Sequence, residues 1–459
     1  MVFQTLYIEI IKLKSNFVKL FLHIKVHSYK TNKRKIINDP VHGFISISWD
    51  IIFDLIEHPY FQRLRRIRQL GLTSFVYPGA THTRFQHALG ATHLMNTAIN
   101  VLRQKRHIIT DEEAEAANIA ILLHDIGHGP FSHALENTII RGINHEELSL
   151  LFMHELNLSF EGRLDLAIEI FTDRYKKKFL HQLIASQLDM DRLDYLKRDS
   201  FYTGVIEGVI GSDRIVRMLN VLNDRLVVDI KGIYSIEKFL IARRLMYWQV
   251  YFHKGVLASE ILLVNILKRA KELAQKNNLL PVTAPLQYFI TNNFSYADFI
   301  TENSVSTNGT RKLIPNKAIL DQYARLDDND IITAAKIWAD SGDPVLSRLC
   351  NNMLNRKLFR IELQMEKFPE MRITRIREAV MKEYGMNAEE SEYFVSTDSI
   401  SNYAYSSEDE RIQILYHDGE LKDVTEASDM PDMSILTKTV TKNYLCYPKE
   451  IEALDQNIK

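Results

Sequence analysis

The chain has 459 residues, 46% of them apolar, with 57 Lys and Arg against 58 Asp and Glu and a net charge of −1. This composition excludes a disordered chain, a collagen-like repeat and a disulfide scaffold, and it permits a sizeable core without metals or bridges to hold it. The two cysteines, Cys350 and Cys446, have no metal-type spacing and fit a reducing, cytoplasmic setting.

Residues 1–34 read as a basic extension. Residues 1–38 hold eight Lys or Arg and one Glu, and Lys12, Lys14, Lys19 and Lys25 cut the apolar runs, which argues against a membrane span. No small-residue cleavage site follows a short apolar core, so a secretory signal is not expected. Elsewhere no apolar run reaches about 18 residues. Asp50 is placed to cap a helix carrying Ile51, Ile52, Leu55 and Ile56. After Pro59 a second run carries Phe61, Leu64, Ile67 and Leu70, and Gly71 stops it. A helix is predicted from Arg84 to Arg103, and another from Asp111 to the pair His124-Asp125, just before Gly127 and Gly129. Asn144, with Glu147 three residues on, has the form of a capping box for the helix through Leu151. Residues 181–198 and 235–275 also carry the helical period. The polar stretch 291–330 reads as a linker or mobile subdomain. Beyond it, Glu392–Ser396 is strand-like, and Ile412–Tyr416 and Glu420–Val424 flank the turn His417-Asp418-Gly419 as a hairpin. The expected protein is mainly α: a helical domain over 35–290 and a smaller mixed α/β C-terminal domain over 331–459.

The stretch richest in chemistry is His124-Asp125-Ile126-Gly127-His128-Gly129-Pro130-Phe131-Ser132-His133. Histidines and a carboxylate so clustered point to metal or acid–base chemistry. The glycines end the helix and let the backbone approach a ligand closely. At a fraying helix end, His124 and Asp125 can both turn onto one cation. A metal needs further ligands. His87 stands in the first turns of the next helix upstream. Downstream, Asp191 shares a helix face with Leu188 and Tyr195, where an ionisable group is costly unless paired or metal-bound. Spacing alone does not choose among Asp189, Asp191 and Asp194.

The order His87, His124-Asp125, Asp191 resembles the HD metal-dependent phosphohydrolase superfamily. Within it, the deoxynucleoside triphosphate triphosphohydrolase branch, which includes the vertebrate enzyme joining a sterile alpha motif to an HD domain, matches best. The matching segments are Lys35–Gly43, Gln62–Gly71, Tyr77–His87, the ten-residue block, Asn144-His145-Glu146, Asp189–Asp199 and Tyr251–Lys254. Other branches fit less well: the guanosine tetraphosphate hydrolases place two acidic residues after the His-Asp pair, where this chain has Gly127-His128.

The resemblance implies one divalent ion, Mn, Fe, Ni, Zn or Mg, on His87, His124, Asp125 and Asp191, with additional Mg on the substrate phosphates. It implies cleavage of a deoxynucleoside triphosphate to deoxynucleoside and triphosphate. His145, ranked first, His128 and His133 are the candidates for proton transfer and transition-state stabilisation. Arg84 and Arg192 would hold phosphate oxygens. Gln69 and Asp199 would bind the 3′ hydroxyl, Leu70 and Tyr195 would crowd the 2′ position, and Tyr251 would line the sugar and base pocket. Lys35, Glu57, Gln62 and Arg65 match a second, activating nucleotide site, with Glu57 where the family has Asp, in relatives that assemble as homo-oligomers. The rivals are an HD phosphohydrolase of another nucleotide or a phosphodiester, and a nucleotide-sensing or nucleic-acid-binding HD protein. The near-neutral charge gives no nucleic-acid footprint beyond the basic N-terminus.

Overall fold

The computed structural model describes residues 35–131, 138–140, 142–276, 280–305, 311–402, 404–406, 411–430 and 433–451. The basic extension and His133 lie outside them. The chain is mainly helical, with a smaller α/β region toward its C-terminus. It opens with a hairpin of β1 (Ile36–Asp39) and β2 (Gly43–Ser46), in which Ile36 pairs with Ser46. Helix α1 (Asp50–Glu57) buries Ile51, Ile52, Leu55 and Ile56, but Asp50 is its first helical residue and Trp49 occupies the N-cap without a side-chain bond.

The second predicted run does not continue as one helix. It turns through Pro59–Gln62 and Arg63–Arg66, and Ile67 is then extended. The reason is a competing partner: Gln69 N bonds His82 O at 3.0 Å and Arg84 N bonds Ile67 O at 3.0 Å, which pulls this segment against the start of the next helix. Helix α2 (Arg84–Gln104) starts with a capping box between Thr83 and Gln86, and α3 (Asp111–Leu123) with one between Thr110 and Glu113. The Asn144–Glu147 box opens α4 (His145–Ser159) as expected. The 181–198 stretch divides, because Asp189 accepts from Arg192 N at 2.7 Å and so begins a new helix, α5 (Met190–Thr203), which Gly204 ends at φ +74°.

Helix α2 packs against both α3 and α5. Gly90 permits the second contact: a Cβ there would lie 2.0 Å from Asp194 Oδ1 and 2.3 Å from Arg198 Nη2. Strands β3 (Leu219–Leu222) and β4 (Arg225–Asp229) follow. The expected helix over 235–275 is two helices, α6 (Ile233–Met246) and α7 (Lys254–Gln275), separated by a π-turn at Tyr247–Tyr251 and by His253, whose Nδ1 accepts from Gly255 N. Among the described residues no single helix is long and apolar enough to cross a membrane.

The 291–330 stretch, read as a linker or mobile subdomain, carries regular secondary structure. It contains a hairpin of β5 (Ile300–Val305) and β6 (Arg311–Pro315) and a helix, α8 (Lys317–Ala324), that buries Ile319, Leu320 and Tyr323. Its few apolar residues recur at helical spacing, and Tyr323 packs edge-on against Phe289. Helices α9 (Asp328–Trp338) and α10 (Pro344–Leu354) lead to β7 (Arg360–Gln364) and α11 (Glu370–Tyr384). The strand expected over Glu392–Ser396 begins only at its last residue, as β8 (Ser396–Asn402), because an Asn387–Glu390 capping box first makes a helical turn over Ala388–Ser391. The predicted hairpin is β9 (Gln413–Leu415) with β10 (Leu421–Asp423), and Gly419 takes φ +90° in its turn. Strand β11 (Val440–Tyr447) lies between β7 and β8. Strand β9 runs parallel to β4, so one four-stranded sheet joins C-terminal strands to the helical part.

Candidate active site

Three helices deliver four side chains to one point. His87 comes from the first turn of α2, His124 from the C-cap of α3 with Asp125 beside it, and Asp191 from the first turn of α5. Asp191 Oδ1 lies 3.0 Å from His87 Nε2 and 3.4 Å from His124 Nε2, while Asp125 oxygens lie 3.8 Å and 3.5 Å from the same two nitrogens. Both imidazoles are oriented from behind. His87 Nδ1 donates to Asp194 Oδ2 at 2.8 Å and His124 Nδ1 donates to the Ile121 carbonyl at 2.6 Å. Their protons therefore sit on Nδ1, and both buried Nε2 atoms are left without a hydrogen bond.

Asp189, Asp191 and Asp194, which spacing alone did not separate, take different roles. Asp191 faces the cluster. Asp189 caps the helix and accepts from Ser186 N at 2.8 Å. Asp194 is fully buried and binds His87, His42 at 2.6 Å and Arg198 at 2.8 Å, and Arg198 in turn donates to Asp39 at 2.8 Å. Composition and spacing did not reveal this support. Its parts stand in the segments Lys35–Gly43 and Asp189–Asp199, where only the resemblance pointed.

Electrostatics matches a cation site. Burial works against a charged His87, but Asp191 and Asp194 outweigh it and raise its pKa to about 10. His124 is raised against burial by Asp125 and Asp191. Burial alone would raise Asp125 and Asp191. His124, His128 and Arg84 instead hold Asp125 well below the usual carboxylate range, and His124 and His87 hold Asp191 below it. Two imidazoles and two carboxylates with unsatisfied Nε2 atoms fit a divalent cation, which would take the place of the bound protons. His87, His124 and Asp191 form one cluster of converging ligand atoms, and Asp125, His128 and His145 form another beside it.

His128 Nε2 lies 3.3 Å from Asp125 Oδ1, and its ring stacks on His145 with centroids 3.8 Å apart and planes at 15°. Burial and then the Arg84 charge push the His128 pKa well below its ordinary value. Arg84 donates through Nη1 to Asp125 Oδ2. Arg192 Nε donates to the Ser186 carbonyl at 2.6 Å and to Asp189 at 3.1 Å.

A cavity of about 530 Å³ joins these groups. Gln69, Leu70, Arg84, Arg192, Tyr195, Asp199 and Tyr251 all line it, together with Asp125, His128, His145 and Asp191. Asp199 is fixed from two sides: His82 Nε2 donates to Oδ1 at 2.7 Å and the Tyr251 hydroxyl donates to Oδ2 at 2.7 Å. Gln69 Oε1 is buried without a hydrogen-bond partner. Phe131, Tyr247, Phe252, Val256 and Glu260 line the cavity as well and were not singled out from the sequence. Tyr247 lies beside Tyr251, their rings 5.1 Å apart, and its i, i+4 spacing from Tyr251 was the signal that could have found it.

The four residues nominated for a second nucleotide site are not lining this cavity. Gln62 accepts from Arg65 Nε at 2.9 Å and donates to Ile56 O, next to the exposed Glu57, at 2.7 Å. The Arg65 guanidinium lies 3.6 Å from the Phe85 ring centroid. Lys35 is exposed and its carbonyl accepts from Ile47 N at 2.9 Å, just before β1.

The HD domain family model matches residues 84–199, and an HD associated region matches 210–279. The protein YwfO of Bacillus subtilis, described as uncharacterized, is 33% identical over 92% of this chain and 94% of its own. A deoxynucleoside triphosphate triphosphohydrolase SAMHD1 homolog of Dictyostelium discoideum is 29% identical over 70% of this chain and 65% of its own. The crystal structure of a phosphohydrolase from Bacteroides thetaiotaomicron has a TM-score of 0.85 and 52% identity, covering 90% of this chain and 99% of that one. The converging His and Asp side chains and these matches agree, and the chain belongs to the HD-domain family of metal-dependent phosphohydrolases.

Proposed function

We propose that this protein hydrolyses deoxynucleoside triphosphates to a deoxynucleoside and triphosphate. The supporting observation is that one cavity combines the His/Asp cluster with a pre-set sugar end, in which His82 and Tyr251 hold Asp199 and Gln69 keeps an unused acceptor. His87, His124, Asp125 and Asp191 would hold a divalent cation, which would supply Lewis acidity and lower the pKa of a water. Arg84 and Arg192 bind phosphate oxygens. His145 gives a proton to the departing 5′ oxygen, and His128, stacked on it, shares in stabilising the charge that develops. His133 keeps its nomination for this work. Gln69 and Asp199 take the 3′ hydroxyl, and Leu70 and Tyr195 exclude a 2′ hydroxyl. The Dictyostelium relative bears the name of this activity.

The same reading includes an activating nucleotide bound by Lys35, Glu57, Gln62 and Arg65, and a homo-oligomer assembled around it. The test is direct. The purified protein is incubated with each deoxynucleoside triphosphate, singly and mixed, with Mn²⁺ or Mg²⁺. A nucleoside triphosphate, a nucleoside monophosphate and a phosphodiester are run beside them. Triphosphate release from the deoxy substrates alone is expected; turnover of only the monophosphate or the diester would replace the reading with another HD hydrolase.

A further inference from the structure

We propose that Asp328 and Tyr323, which lie outside both matched family regions, are positioning residues that hold the active-site turn in its working shape. The inference rests on this cavity being the hydrolytic centre, whichever phosphoester it takes.

The turn after His124 runs through Ile126, Gly127 and His128 to Phe131. Its buried carbonyls need donors, because the helix has ended and gives them none. Arg63 Nη2 donates to Ile126 O and to His128 O, each at 2.7 Å, and the Tyr323 hydroxyl donates to Gly127 O at 2.9 Å. Arg63 is fully buried and Tyr323 nearly so. At the far end of the turn, Phe131 N donates to Asp328 Oδ1 at 3.0 Å. The other oxygen of Asp328 accepts from Arg68 N at 2.9 Å, immediately before Gln69 and Leu70.

One carboxylate therefore clips together two adjacent backbone segments that both line the pocket. Each N–H donor takes a different oxygen of the carboxylate. Asp supplies both, whereas Asn would turn an N–H toward one of the donors. Phe131 adds a reason for the clip. It has φ +51°, a left-handed conformation that a bulky residue holds only when its surroundings impose it. A Cβ on Gly71 would lie 3.7 Å from its ring, so a shift of Phe131 moves the pocket wall next to Leu70.

The test uses the full chain with Asp328→Asn, Tyr323→Phe and Arg66→Gln. Arg66 pairs with the neighbouring Asp327 and is half exposed, so it anchors the same segment without touching the turn. Three quantities are measured: kcat and KM on a phosphoester that the wild type hydrolyses, metal content, and hydrogen exchange of peptides covering 65–72 and 124–131. Asp328→Asn should lower kcat/KM by roughly 10- to 100-fold, the range for small misplacements of catalytic geometry, with the metal retained and exchange in both peptides accelerated. Tyr323→Phe keeps its ring and should lower kcat by about threefold or more through the lost bond to Gly127 O. Arg66→Gln should stay within about twofold of wild type. Unchanged kinetics and exchange in Asp328→Asn overturn the proposal, as does an equal loss in Arg66→Gln. Should Asp328→Asn fail to fold, Tyr323→Phe decides by the same two readouts. Should the wild type hydrolyse nothing offered, exchange alone decides, separately from the substrate assignment.

Discussion

His87 is presented by two carboxylates on opposite sides, Asp191 3.0 Å from Nε2 and Asp194 2.8 Å from Nδ1. The first converges with Nε2 on the position a cation would take; the second fixes the tautomer that leaves Nε2 free to face it. His124→Ala and Asp125→Ala should abolish turnover and lower metal content, because each removes a ligand. Full metal occupancy with full turnover in either variant contradicts the site. Asp194→Asn should weaken metal affinity by roughly 10- to 100-fold while leaving the ligands in place, as expected when a ligand's supporting carboxylate is lost. Metal titration of the apo-protein checks this. His145→Ala should lower kcat by roughly 10²–10⁴-fold with the metal still bound. If turnover persists there and His128→Ala is inactive, the proton donor is His128.

Among the elements, Gly127 of the turn serves packing rather than ligand approach. A Cβ on Gly127 would sit 2.3 Å from His145 O and 2.3 Å from Ser149 N, so the turn lies directly on the first residues of α4. This close approach is what stacks His128 on His145. Gly127→Ala should destabilise the protein by about 1–3 kcal/mol or more, the usual range for overpacking against backbone, and should lower the melting temperature. A second element-level prediction concerns α7. Glu272 bonds Lys276, Tyr393 and Arg269, and Arg269 also binds Asp343, which ties α7 to the C-terminal part. The Lys276 and Tyr393 bonds, helped by Arg269, lower the Glu272 pKa from 4.5 to about 2 against the opposing effect of burial. Its folded pKa lies below its unfolded one, so its stabilisation is complete above about pH 4.5 and fades as pH falls toward 2. Glu272→Gln should flatten the acid dependence of unfolding in that window. An unchanged slope would remove Glu272 from the account.

At the scale of the whole molecule, the groups proposed for catalysis and those proposed for activation lie apart. Lys35, Glu57, Gln62 and Arg65 lie outside the cavity that holds the His/Asp cluster. If a nucleotide bridges subunits there, binding and assembly are linked and each favours the other. Turnover of one deoxynucleoside triphosphate should therefore rise when a second guanine or deoxy nucleotide is added, with a parallel increase in molecular mass by light scattering. Arg65→Ala should remove the activation and leave the metal site loaded. A constitutively active monomer, indifferent to added nucleotide, would refute the regulatory part and spare the catalytic one.

Much of the local structure is written in short-range signals. The Asn144–Glu147 box, the apolar face of α1 and the turn between β9 and β10 each depend on residues within a few positions, so backbone propensity and periodicity suffice to read them. The candidate metal ligands could be named from the sequence because the ten-residue block concentrates His and Asp and the motif order carries the resemblance. The choice of Asp191 over Asp189 and Asp194 by geometry was not, since helix phase shows a face but not what the face meets. The same limit hid the His42–Asp194–Arg198–Asp39 support and the clip at Asp328, which stands 197 residues from Phe131. The polar composition of 291–330 concealed a helix that packs beneath the active-site turn, because polarity records exposure on average and not the few side chains that are buried. Sequence alone determined which chemistry the chain carries. Packing across distant segments decided which groups orient it, because side-chain convergence is set by tertiary contacts that no local period encodes.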